Sequence, residues 1–136
     1  DGDGTAAASG GAGNPGGSVF THDGTNHGSV GSNGTGGLIW LIVGGNLTLG
    51  SGSVISADGS NGGNATAPSG TKRVAAGGGG SGGGRVVVIY AGTLTNNGTI
   101  RASGGSGGSA TASGGQAAAG GAGGAGTTEI VQVNTE

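Results

Sequence analysis

Cysteine and methionine are absent from this chain of 136 residues, and it holds one Trp, one Tyr, one Phe and two Pro. Without cysteine there is no disulfide framework and no thiolate metal centre, and the redox compartment stays open. Charge is scarce as well, at 7% of residues, against about 25% in an ordinary soluble domain. The only cations are Lys72, Arg73, Arg85 and Arg101, and the net charge is -2. That excludes the basic stripe needed to grip nucleic-acid phosphates. Long hydrophobic runs are lacking too. The longest, LIWLIV at 38–43, is far too short to cross a bilayer as a helix. The chain begins at Asp1 with no visible leader, so it is expected to be a processed product or a segment of something longer.

What is present in excess is glycine, 41 residues, roughly four times the usual share. Glycine at this level without a period means low complexity and disorder, but this chain is periodic in two ways. The first period is long. GLIWLIVGGNLTLGSGSVISADGSNGGNATAPSG (37–70) aligns with GRVVVIYAGTLTNNGTIRASGGSGGSATASGG (84–115). Leu47-Thr48 matches Leu94-Thr95 at a spacing of 47, while Ile55 matches Ile100 at a spacing of 45. The first copy therefore carries two extra residues near Gly50 and Ser51. An even insertion preserves side-chain parity in a strand, whereas a single-residue slip would turn every side chain to the other face. Self-similarity at this spacing predicts a stacked array. One repeat domain is expected over 1–136: a partial N-terminal repeat at 1–36, repeats at 37–83 and 84–127, and the start of another at 128–136.

The second period is three. Residues 59–67 read GSN GGN ATA and residues 104–112 read GGS GGS ATA; 114–126 continues as GGQ AAA GGA GGA G. Three fits neither the helix at 3.6 nor the strand at 2.0. It fits the extended left-handed helix of three residues per turn, which has no internal hydrogen bonds and must find partners on its neighbours. The two glycines of each triplet would let backbones approach closely. The third residue, Ser, Asn, Ala or Gln, would face outward or sit in a looser slot. Collagen is excluded by the near absence of proline and the broken register. The expected fold is therefore all-β: solenoid-like strand repeats of about 45 residues combined with a polyglycine II helix bundle. Strands are expected within 38–49 and 85–101, with no helix longer than about two turns. The unbroken apolar runs 38–43 and 86–90 predict strands buried on both faces, with Trp40 and Tyr90 in the core. Asn97-Gly98 predicts a tight turn.

The stretch GGGGSGGGRVVVIYAGTLTNNGTIRASGGSGG (77–108) resembles glycine-rich segments of bacteriophage tail fibres and tail-tip adhesins, over about residues 37–126. The resemblance implies a structural and adhesive virion protein in which glycine tracts form polyglycine II helices and loops at the bundle tip meet the host. Aromatic-rich loops of that kind are missing here. Capsid decoration or a microbial surface filament fits equally. An ice-binding protein would need a denser Thr or Ala ladder than Thr66 and Thr111 provide. A polysaccharide depolymerase would need clustered carboxylates, whereas Asp1, Asp3, Asp23, Asp58, Glu129 and Glu136 are dispersed.

Candidate sites are few. DGDGT (1–5) opens like a calcium loop, but Ala12 stands where a Glu ligand is needed. His22, Asp23 and His27 form the one acid–base cluster, in a loop-like stretch without a nucleophile motif. GGGGSGGG (77–84) lacks the Lys-Ser/Thr of a phosphate loop. No cofactor or metal is expected, and no catalysis. External contact is expected at the turns between glycine tracts, at Pro68, Thr71, Lys72, Arg73, Ser113 and Gln116. Lys72-Arg73 there could meet an anionic sugar. An assembly strand is expected at Glu129, Ile130, Val131, Gln132 and Val133, completing a neighbour's sheet or leading into further sequence. Asn33, Asn46, Asn64 and Asn97 each begin a glycosylation sequon. The expected partners are copies of the chain or other fibre or virion proteins, and a host cell-surface glycan or outer-membrane protein, in the virion or at a cell surface.

Overall fold

A computed structural model describes residues 34–67 and 74–133, together with two short strands at 4–6 and 18–20. The described residues hold thirteen strands and no helix. In chain order they are β1 (Gly4–Ala6), β2 (Ser18–Phe20), β3 (Leu38–Val43), β4 (Leu47–Leu49), β5 (Val54–Ser56), β6 (Ala65–Ala67), β7 (Val74–Ala76), β8 (Arg85–Tyr90), β9 (Leu94–Asn96), β10 (Thr99–Arg101), β11 (Ala110–Ala112), β12 (Gln116–Ala118) and β13 (Thr127–Gln132). The strands expected within 38–49 and 85–101 are there, and the alanine-rich 117–126 forms no helix.

Strands within one repeat do not pair with each other. Each lies parallel to its counterpart in the next repeat: β3 on β8 on β13, β4 on β9, β5 on β10, β6 on β11 and β7 on β12. The exception is the hairpin of β1 and β2, which lies antiparallel along the other edge of β7. Among the described residues no sheet closes into a barrel. Asn97-Gly98 therefore makes a corner between β9 and β10, which belong to different sheets, rather than a hairpin. The tight turn expected at this pair is a two-residue corner that joins two sheets.

The spacing between repeats is adjusted at corners. From β4 to β5 the chain uses Gly50-Ser51-Gly52-Ser53, where the next repeat uses only Asn97-Gly98. The longer corner is tied by the Ser53 N–H and hydroxyl, which both donate to Gly50 O, at 3.1 and 2.8 Å. Gly52 has a φ of 81°, a left-handed conformation that suits glycine. At the second adjusted corner, Ser113-Gly114-Gly115 joins β11 to β12, and Gly114 has a φ of 78°.

Glycine tracts run between the strands, and their hydrogen bonds recur every third residue. The N–H groups of Gly77, Gly80 and Gly83 donate to Ala118, Gly121 and Gly124 O. One residue on, those of Gly78, Ser81 and Gly84 donate to Gly63, Ser60 and Ala57 O. One tract thus bonds sideways in two directions. Residues 102–109 do likewise: Gly105 and Gly108 donate to Ser81 and Gly78 O, while Ala102, Gly105 and Gly108 O accept from Gly126, Gly123 and Gly120. A Cβ on Gly104, Gly105, Gly107 or Gly108 would fall under 3.0 Å from a neighbouring backbone oxygen.

The apolar core is small because glycine occupies so much of the interior. One cluster contains Ala57, Val86, Val88 and Ala102, with Ile39, Leu41, Leu47, Ile55 and Ile100 against it. The other contains Ala65, Ala67 and Ala75, flanked by Ala110 and Ala112.

Candidate functional site: the outer surfaces of the stack

The three-stranded sheet β3–β8–β13 has one face on the core and one in solvent. Ile39 and Leu41 of β3, with Val86 and Val88 of β8, point inward. Leu38, Trp40 and Ile42 point outward, at 64%, 64% and 68% exposure. Burial on both faces, predicted from the unbroken apolar run, is overturned for β3, which alternates between half-buried and exposed residues. Hydrophobicity reports burial only when something covers the residue, and no described residue covers this face. Trp40 accordingly lies outside the core, while Tyr90 is half-buried.

In register beside them stand Arg85, Val87 and Ile89 on β8, and Thr127, Glu129 and Val131 on β13. Leu38, Trp40, Arg85, Val87, Ile89, Glu129 and Val131 line a shallow groove of about 370 Å³. Arg85 Nη2 donates to Glu129 Oε2 at 2.6 Å across the upper two strands, with both side chains about half exposed.

A second outer surface is polar and regular. Asp58, Asn61 and Asn64 recur every three residues, and their Oδ1 atoms accept from the N–H groups of Ser103, Ser106 and Ser109, at 2.7, 2.8 and 2.8 Å. The same Ser103, Ser106 and Ser109 offer their carbonyls to Gly59, Gly62 and Ala65 N–H. Side chains here do what a further backbone would otherwise do. Asn46 does the same at another corner, where its Oδ1 accepts from Thr93 N–H at 2.8 Å. Sequence reading missed this role; the signal was the triplet register extended back to Asp58. The Asp58 carboxyl is held below the usual carboxylate range by the Ser103 N–H first, then by the Ser56 hydroxyl and Arg101. Arg101 Nε lies 2.6 Å from Asp58 Oδ2.

Of the contact residues read from sequence, Pro68, Thr71, Lys72 and Arg73 lie outside the described residues, as do Asp1, Asp3, His22, Asp23, His27 and Asn33. Ser113 and Gln116 are exposed, and Gln116 pairs with Val74 at the start of β12. The strand Glu129–Val133 falls in and just past β13. It completes this chain's own sheet on β8, with Val133 N–H reaching Tyr90 O at 2.8 Å. No described strand occupies its other edge. Among the described residues no three His, Asp or Glu side chains gather where a metal ion could be held, and no helix is long and apolar enough to cross a membrane.

No family model, no curated protein and no solved structure matches this chain.

Proposed function

We propose that the chain is a non-enzymatic structural and adhesive element, a β-solenoid stiffened by a polyglycine II bundle, in an extracellular fibre or virion. The observation that carries the reading is the direction of its hydrogen bonds. Successive repeats are joined strand to parallel strand, and the glycine tracts donate at every third residue to tracts in two directions. Such a molecule grows along one axis by adding repeats, and its stability is a sum over neighbouring interfaces. Three residues per turn with purely lateral hydrogen bonds is the pattern of a three-fold extended helix. Six dispersed carboxylates and two histidines suit a scaffold better than a catalyst. The similarity in repeat style to phage tail-fibre segments favours a virion fibre that touches a host surface as the setting.

Exposed strand edges invite pairing with other chains, so copies of the chain or other fibre proteins are the expected partners. Ultracentrifugation and electron microscopy of residues 1–136, beside a form truncated before Glu129, test this. Multi-copy particles or rods are expected from the full chain and their loss from the truncated one. Two equally stable monomers would defeat it.

A further inference from the structure

The outer face of β3–β8–β13 has the makings of a ligand site. Six apolar side chains, Leu38, Trp40, Ile42, Val87, Ile89 and Val131, share it with the Arg85–Glu129 pair. Contiguous apolar patches of this kind are often functional, and two features of this one decide which occupant it suits.

The first is size. Three strands about 4.8 Å apart and six residues long make a face of roughly 20 Å by 14 Å. That outline, near 280 Å², is smaller than the footprint of an interface that buries roughly 800 Å² of accessible surface on each partner. A second copy packed on this face alone would be held weakly. The groove of about 370 Å³ instead falls within the range of small-ligand sites, about 300–1,000 Å³.

The second is the character of its polar end. Arg85 and Glu129 neutralise each other through a single bond at 2.6 Å between Nη2 and Oε2. The pair offers further guanidinium donors and carboxylate lone pairs with little net charge. A free anion would meet the carboxylate, and a free cation the guanidinium. A neutral molecule rich in hydroxyls satisfies both. Trp40 adds an exposed aromatic wall, suited to the apolar C–H face of a ring whose edge carries the hydroxyls.

We infer that this groove binds a neutral pyranose-containing saccharide, with Trp40 stacking on the ring and Arg85 and Glu129 sharing its hydroxyls. This deepens the adhesive part of the proposed function and rests on it. It moves the contact from the inter-tract turns to a rigid sheet face. The ligand would occupy three consecutive repeats at once, since β3, β8 and β13 each come from a different one.

Trp40 is the sole tryptophan, so its emission reports on this groove directly. The test is titration of the full chain with cellohexaose, maltohexaose and mannohexaose, followed by fluorescence and calorimetry, with oligogalacturonate as the acidic control. Saturable binding of at least one neutral hexasaccharide is expected, with a shift in tryptophan emission and weaker binding of the acidic control. Calorimetry on Trp40→Ala is expected to show affinity lower by about tenfold or more, with Trp40→Phe less affected and Glu129→Gln several-fold weaker. Unchanged melting of Trp40→Ala would establish that the loss is local, because the side chain is exposed. Absence of binding to all three neutral sugars, equal affinity in Trp40→Ala, or preference for the acidic control each overturns the inference. So does self-association of the wild type that Trp40→Ala abolishes and sugars leave untouched. Failure here with rods intact rejects only this site; loss of the rods rejects the fibre reading.

Discussion

Glycines in the tracts differ in what surrounds them, though they look alike in the sequence. Gly107 and Gly108 abut the carbonyls of Gly120 and Gly63, whereas Gly121 and Gly124 meet nothing within 4 Å. A Cβ at the first pair would have to displace backbone, which is already fixed by bonds on both sides. Gly107→Val or Gly108→Val is expected to cost about 3 kcal/mol or more, at or above the usual range for overpacking. Gly121→Ala and Gly124→Ala are expected to be neutral or stabilising by about 0.5 kcal/mol, through lower entropy of the unfolded chain. Ser106 and Ser109, both exposed, should tolerate replacement far better than their glycine neighbours. Denaturant melts of the set check the register directly; equal tolerance at all sites would remove the meaning of the triplets.

Asp58 tests the polar ladder at the same scale. Its carboxyl titrates below the usual carboxylate range, chiefly because the Ser103 N–H favours the charged form. A depressed carboxylate stabilises the fold above its unfolded pKa and loses that contribution as pH falls through the folded one. Melting temperature is thus expected to decline as pH drops below about 4. Asp58→Asn keeps the Oδ1 acceptor, as Asn61 and Asn64 do naturally, but gives up the charge facing Arg101, so it should flatten that part of the profile at a modest loss of stability at neutral pH. An identical acid profile in the variant would assign the decline to other groups.

At the scale of elements, the corners carry the variation in repeat length. Leu49 O accepts from Asn97 N–H and Ser53 O from Thr99 N–H, both at 2.9 Å. The four-residue and two-residue corners are therefore stacked, with the same strands entering and leaving. Deleting Ser51 and Gly52 together would give the first repeat a corner as short as the second. The expected loss is within about 1 kcal/mol, because loop closure changes little with a few residues. Measured by thermal melting, a collapse of stability would mean that the bulged corner has a packing role of its own.

This element also marks the limit of reading strands from hydropathy. The strand at 38–43 was legible from LIWLIV, and the spacing of 47 to its partner from the aligned repeats. Its one-sided burial was not, because an unbroken apolar run carries no alternation to say which face is covered.

Across the whole molecule, protection should follow position in the stack. Tracts 77–84 and 102–109 are bonded to neighbours on more than one side, whereas β13 is paired on one edge and mostly exposed. Amide hydrogen exchange is expected to be slowest at Gly78, Ser81, Gly105 and Gly108 and fastest in β13, with a gradient rather than a single cooperative block. Protection in β13 equal to that of the inner tracts would contradict such a gradient.

The sequence by itself determined the local grammar: no helix beyond about two turns, two repeat periods, glycine where backbones must touch, and a third triplet position that is exposed at Ser106 and Ser109 but half-buried at Ser81 in the inner tract. Those follow from side-chain size and periodicity, which are properties of the chain alone. Only the tertiary structure decided that strands pair with the next repeat rather than within their own. It also decided that Asp58, Asn61 and Asn64 cap the backbone of Ser103, Ser106 and Ser109, and that Trp40 stands in solvent beside Arg85 and Glu129. Those outcomes depend on which residues, some 42 to 47 apart in the chain, come to lie side by side, and a hydrogen-bonded edge or a covered face exists only once they do.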